Sequence, residues 1–188
     1  MASKRAKAAT ANKALVKGER VFLRHPLEAD RDGFIHAVKI SRKLHRPWVY
    51  PPETEAAFRE FIVRSRTAEV ESLLVCEREE NRIAGVFNLN QIFRRGFQSA
   101  YLGYWAVAPF ARLGYMTEGL HLVLRYSFRI LKLHRLEANI QPGNDASKAL
   151  VRRCGFRLEG FSPGYLKVGG RWRDHERWAI CREDWTAA

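Results

Sequence analysis

Apolar positions recur along the chain with two different spacings. "RVFLR" (Arg20 to Arg24) is a short strand-like run, and "PLEADRDGFIHAVKISRKL" then sets Leu27, Phe34, Val38 and Leu44 near helical spacing. The prolines of "HRPWVYPP" end that helix, and "ETEAAFREFIVRSR" predicts a second one with Ala57, Phe61 and Ile62 on one side. The composition then changes. "ESLLVCERE", "RIAGVFNLNQIF" and "FQSAYLGYWAV" are rich in β-branched and aromatic residues and are joined by "ENR" and "RRG", which predicts an antiparallel meander of three strands.

After the meander, "FARLGYMTEG" (Phe110 to Gly119) leads into an amphipathic helix that extends to about Leu131, followed by a strand in "HRLEANIQ". A shorter helix opens at Asn144, a natural N-cap, and closes at Gly155 as the C′ residue. Two long strands turned over at Gly169 and Gly170 end the chain. These elements sum to an α+β single domain, with a mixed central sheet of about seven strands and helices on both faces. Residues 1–17 carry five Lys or Arg and no acid, which predicts a solvated basic tail before a domain spanning 18–188.

A chain of 188 residues with 46% apolar content supports one well-filled core. Cys76, Cys154 and Cys181 lack metal or redox spacing and the six histidines form no paired motif, so neither a disulfide framework nor a metal site is expected. No apolar run approaches the ~18 residues of a membrane span and the N-terminus has no apolar signal core, so the expected location is cytoplasmic. The net charge of +13 adds a constraint on partners, because its field attracts anions and repels polycations. A ribosome-like surface or a multiply phosphorylated small molecule suits it better than a polyamine does, although solubility alone is also served by such charge.

Strand, short turn with glycine, then helix is the arrangement that places an anion on free backbone N–H groups at a helix N-terminus. "FARLGYMTEG" has this order but little glycine, with Arg112 in one of the places where a small residue is expected.

"GYWAVAPFARLGYMTEGL", "LHRLEANIQPGNDASKALVRRCGFRLEG" and "VGGRWRDHERWAI", with the order of elements, resemble the GNAT acetyltransferases, and most closely the Rim-type ribosomal-protein-alanine N-acetyltransferases, over roughly residues 18 to 185. The resemblance implies acetyl-CoA as cosubstrate and a protein N-terminal α-amine, free or on the ribosome, as acceptor. It implies no membrane, no sequence-specific nucleic acid, and a monomer or homodimer. The family's pyrophosphate loop, Q/R-x-x-G-x-G/A, falls on Ala111 to Met116. Gly114 keeps the middle glycine, Ala111 lacks the polar residue and Met116 replaces the last small one. Relatives carry glycine then a basic residue where this chain has Arg112 and Leu113. A left-handed backbone at position 112 would cost arginine about 1–2 kcal/mol. The implied cofactor-binding set is Ala106, Val107, Arg112, Leu113, Gly114, Tyr115, Met116, Thr117, Asn144 and Ser147, with backbone amides around Ala106 to Ala108 stabilising the oxyanion.

Many GNAT enzymes protonate the leaving thiolate with a tyrosine where this chain has Val151. The Rim-type pattern "N-x-x-S" points instead to Ser147, beside Asn144, although Asn144 caps the helix in either case. The glutamate that one Rim-type branch places before "YL" is Gly164 here. Glu118, Glu137 and Glu159 remain as bases. Glu118 suits the helix dipole better than catalysis, Glu159 suits turn packing, and Glu137 points away from Leu136, Ala138 and Ile140 toward the cleft, so Ser147 and Glu137 form the expected catalytic pair. In "RWRDHE", Arg171, Arg173 and His175 share one strand face and Trp172, Asp174 and Glu176 the other; they touch an acceptor or form the charged face of an edge hairpin. Trp48, in the loop that lines the acceptor groove in this fold, packs there or plugs the core. Two other readings stay open: a small-molecule amine acetyltransferase, and an inactive CoA-binding or ribosome-associated module.

Overall fold

The computed structural model describes residues 13–186. Its strands are β1 (Val16–Lys17), β2 (Val21–Arg24), β3 (Glu71–Glu77), β4 (Ile83–Phe93), β5 (Ser99–Ala106), β6 (Arg135–Ile140), β7 (Arg157–Val168) and β8 (Arg171–Cys181). They form one eight-stranded sheet in the order β1-β2-β3-β4-β5-β6-β8-β7. The expected meander is β3, β4 and β5, antiparallel throughout, and β5 and β6 run parallel.

The eighth strand is the short β1. Val16 is buried and pairs with Leu23, and the Leu15 N–H donates to the Leu23 carbonyl at 2.8 Å. β1 thus lies within the stretch predicted as tail; residues 1–12 of that tail lie outside the described residues. The missed signal was the apolar pair Leu15 and Val16, set between Lys13 and Lys17.

The first predicted helix is broken. A 3-10 turn at Glu28–Asp30 leads into α1 (Arg31–Ile40) and then α2 (Arg42–His45). Ser41 causes the break: its hydroxyl donates to the Ala37 carbonyl at 2.7 Å, competing with the backbone ladder. Thr54 caps α3 (Glu55–Arg64) through a hydrogen bond from the Ala57 N–H at 3.2 Å. Phe34, Phe58 and Phe61 of α1 and α3 bury together on one face of the sheet, where Phe34 meets Trp105 edge-on at 5.3 Å. The opposite face carries α4 (Tyr115–Arg125), whose last turn widens into a π segment at Tyr126–Ile130, and α5 (Asp145–Arg153), which Gly155 closes at φ 90°. Among the described residues no helix is long and apolar enough to cross a membrane.

The sheet opens at one place. β5 pairs with β6 from Ser99↔Arg135 to Tyr101↔Glu137 and no further, although β5 continues to Ala106 and β6 stays on β8 to Ile140↔Glu176. The end of β5 thus presents a backbone edge with no strand beside it, at the carboxyl ends of two parallel strands, where α/β sheets receive ligands.

Candidate active site

The loop after β5 delivers the chain to the N-terminus of α4. Gly114 precedes the helix at φ 85° with no side-chain cap, so the amides of the first turn, Tyr115, Met116 and Thr117, are left for an anion. Arg112 has φ 64°, so the left-handed conformation anticipated at that position is present and an arginine occupies it. Met116, the residue in place of a small one, turns its side chain onto the sheet over Gly85, where an added Cβ would stand 2.3 Å from its Sδ. The missing side chain on β4 thereby compensates for the bulky one on the loop.

Arg20 completes this corner. Its Nη1 donates to the Leu113 carbonyl at 2.9 Å, its guanidinium lies 5.0 Å from the Tyr115 ring centroid, and an added Cβ on Gly114 would meet its Nη2 at 2.9 Å. Glu118 accepts from the Arg20 N–H at 2.8 Å, the Val21 N–H at 3.2 Å and the Arg20 Nε at 3.1 Å. Burial pushes its pKa up, but these donors outweigh it and hold the carboxyl below the ordinary range. Glu118 is a pin between β2 and α4. Arg153 adds a third guanidinium, with Nη1 3.4 Å from the Thr117 hydroxyl.

Two of the three amides expected at the oxyanion position are engaged. The Val107 N–H donates to the Ala84 carbonyl at 2.9 Å and the Ala108 N–H to the Ser41 hydroxyl at 2.8 Å. Val107 is buried and its N–H is bonded into the sheet. Because Val107 bonds toward β4, strand alternation turns Ala106 toward the splay. Its carbonyl accepts from His45 Nε2 at 2.8 Å on that side, so its own N–H is the amide aimed at the gap. Burial lowers the His45 pKa, the hydrogen bond to Ala106 opposing, and the ring stays neutral.

On α5, Asn144 caps the helix by accepting from the Ser147 N–H at 3.2 Å. The Tyr104 hydroxyl donates to the Ser147 carbonyl at 3.3 Å, which seats the first turn of α5 over β5 beside the splay. Burial raises the Tyr104 pKa far above that of a free phenol, so Tyr104 is a support. Val151, the position compared with the thiolate-protonating tyrosine of many GNAT enzymes, is fully buried.

The α1 face of β4, β5, β6 and β8 carries a polar row. Glu137 stands on it as expected, but its Oε1 accepts from Arg135 Nε at 2.9 Å, and Arg135 also grips Glu159. That guanidinium, against a lesser effect of burial, lowers the Glu159 pKa, so both carboxylates belong to an ion-pair cluster. Asn88 pairs with Gly103 in the β4–β5 register, and Asn139 lies one pleat beyond Glu137, at the splay. The Oδ1 atoms of both asparagines are buried without a hydrogen-bond partner. His175 is buried on β8, its Nδ1 donating to the Arg173 carbonyl at 2.9 Å, and burial lowers its pKa despite that bond. β8 is an interior strand and β7 the edge, so "RWRDHE" lies on the inner strand of the hairpin that ends the sheet. Next to this row is a cleft of about 270 Å³ lined by Trp48, Gln141, Gly143, Trp172 and Asp174 among others. Trp48 lines the groove, held by Gln141 Nε2 donating to its carbonyl at 3.2 Å.

Arg20, Asn88 and Asn139 were missed in the sequence. Arg20 reaches the loop from 93 residues away, and an asparagine on a strand carries no motif.

A half-open parallel strand pair, an uncapped helix N-terminus at one end and a groove at the other define an α+β enzyme that holds an elongated phosphate-bearing ligand against an acceptor. Residues 20–157 match the acetyltransferase (GNAT) domain family. The chain is 39% identical over 108 residues to the ribosomal protein uS5-alanine N-acetyltransferase of Escherichia coli, a match spanning 57% of this chain and 56% of that relative. It is 30% identical over 141 residues to the N-acetyltransferase YnaD of Bacillus subtilis, covering 73% of this chain and 81% of that one. Among solved structures, Mycobacterium smegmatis RimJ in complex with CoA-disulfide superposes with a TM-score of 0.79 at 25% identity, covering 87% and 82% of the two chains. The chain belongs to the GNAT acetyltransferases, enzymes that take their acetyl group from acetyl-CoA.

Proposed function

We propose that this chain transfers the acetyl group of acetyl-CoA to the α-amino group of a protein N-terminus, that of a ribosomal protein. The observation that carries the reading is the splay: β5 runs on to Ala106 past its last pair with β6, between an uncapped helix N-terminus and a tryptophan-walled groove open to solvent. Acetyl-CoA, when bound, supplies an activated thioester. The amides of Tyr115, Met116 and Thr117 hold its pyrophosphate, with Arg20 and Arg112 adding positive charge. The Ala106 N–H stabilises the negative charge that develops on the thioester oxygen, and Ser147 returns a proton to the departing sulfur.

Deprotonation is assigned to solvent, because an α-amine has a pKa near 7.7–8.0 against about 10.4 for lysine and needs little help from a base. Glu137, paired with Arg135, keeps that cluster in place, while the Oδ1 atoms of Asn88 and Asn139 accept from the incoming amine. An N-terminal acceptor is favoured by the name of the uS5-alanine relative, and the +13 charge disfavours a polycationic small amine. Incubation of the protein with acetyl-CoA and a panel of ribosomal N-terminal peptides should release free CoA thiol with at least one peptide. Turnover restricted to small amines would overturn the peptide assignment.

A further inference from the structure

The end of the sheet remote from the splay carries a surface that acetyl transfer does not use. The turn between β4 and β5 reads "FRRGFQ" and exposes two aromatic rings, Phe93 at 47% and Phe97 at 64%. The rings meet edge to face with centroids 5.7 Å apart, so neither covers both faces of the other. Arg94 Nη1 donates to the Leu131 carbonyl at 2.6 Å and ties this turn to the end of the π segment, which brings exposed Ile130 and Lys132 alongside. Segments 91–98 and 125–134 contain Arg94, Arg95, Arg125, Arg129 and Lys132 but no Asp or Glu. Arg95 and Lys132 stand at φ 58° and 57°, in a backbone region that suits glycine or asparagine better. Strained positions that carry long cations on an exposed surface where cations outnumber the flanking Glu69 and Glu183 point to use of those cations.

Stacking rings interleaved with guanidinium and ammonium groups match a polymer of alternating bases and phosphates. Every base offers a π face, and the phosphates pair with the cations without regard to sequence. A membrane-binding face would instead present a continuous apolar stripe. We propose that this surface binds single-stranded RNA without sequence preference, with bases on Phe93 and Phe97 and phosphates on Arg95 and Lys132. β5 runs from Ser99 to Ala106, so at about 3.4 Å per residue the surface lies roughly 24 Å from the open end of the splay. RNA held there leaves the groove clear for a protein tail emerging from an RNA-bound assembly. That last consequence rests on the acetyltransferase reading; the RNA contact does not.

The test is fluorescence anisotropy of a labelled, unstructured uridine-rich RNA of about 15 nucleotides titrated with the full chain, since site sizes run up to about 16 nucleotides. The wild type should bind, with affinity falling as salt rises. Phe93→Ala with Phe97→Ala should weaken binding by roughly tenfold or more, and Arg95→Glu with Lys132→Glu should weaken it further. Lys39→Glu with Lys43→Glu, an equal charge change on exposed sites of α1 and α2, should have a much smaller effect. All variants should keep the wild-type thermal midpoint, and those on the hairpin surface should keep the wild-type CoA affinity. Three results would overturn the proposal: no binding by the wild type in 100 mM salt, equal losses from the two charge pairs, or wild-type affinity in the double alanine variant. Stronger capture by phosphatidylglycerol vesicles than by RNA would also overturn it, in favour of a lipid surface.

Discussion

Arg112 occupies a left-handed backbone position, φ 64°, at the entrance to the phosphate loop, and the chain accepts the strain where relatives are expected to carry glycine. Replacing Arg112→Gly together with Leu113→Arg moves the charge to a relaxed position. CoA affinity by calorimetry should be unchanged or better, and the urea midpoint should rise by the equivalent of about 1 kcal/mol. Gly114→Val is the converse change, since it forces a branched side chain to φ 85° against Arg20 and should weaken CoA severely. Glu118 is testable by pH. Its folded pKa is lowered, so the stability it contributes is fully present above the ordinary value of 4.5 and is lost as pH falls through the lowered one. Glu118→Gln should cost about 1–3 kcal/mol at pH 7 by urea denaturation, and the gap should close as the pH falls through the lowered value. At this scale the sequence was legible for the left-handed turn at Arg112 and Gly114 and for the Asn144 cap. Arg20 was not, because its partners are set by the sheet. Ser147→Ala should lower kcat by about 10- to 100-fold with little change in CoA affinity, whereas Glu137→Gln should change kcat less than about threefold; the reverse order would return the base role to Glu137.

The helices and strands were readable wherever periodicity alone decides them: the meander, α4, α5 and the final hairpin. They failed where a single side chain overrides the pattern. Ser41 splits the first helix through its bond to Ala37, and the same hydroxyl takes the Ala108 amide out of the expected oxyanion position. The hairpin of β7 and β8 turns at Gly169 and Gly170, φ 58° and 81°, and its tip meets Tyr50, where a Cβ on Gly169 would stand 2.4 Å from the hydroxyl. This contact joins the hairpin to the loop that carries Trp48. Gly169→Ala should push the tip off Tyr50 and raise the peptide KM several-fold while CoA affinity stays constant. A parallel loss of CoA affinity would show that the hairpin supports the whole domain and not the groove alone.

The molecule as a whole combines a sheet that stays unpaired where β5 leaves β6 with a positive field that draws anions to it. Neither the extent of the splay nor the direction of the Ala106 amide can be read from residue type, because both depend on where pairing stops. The most direct test is turnover on an N-terminal peptide, with acetylation at the α-amine located by mass spectrometry. The account predicts CoA release coupled to a single acetyl on the first residue, with lysine side chains unmodified. Acetylation confined to lysines, or CoA binding without turnover on any amine, would contradict it.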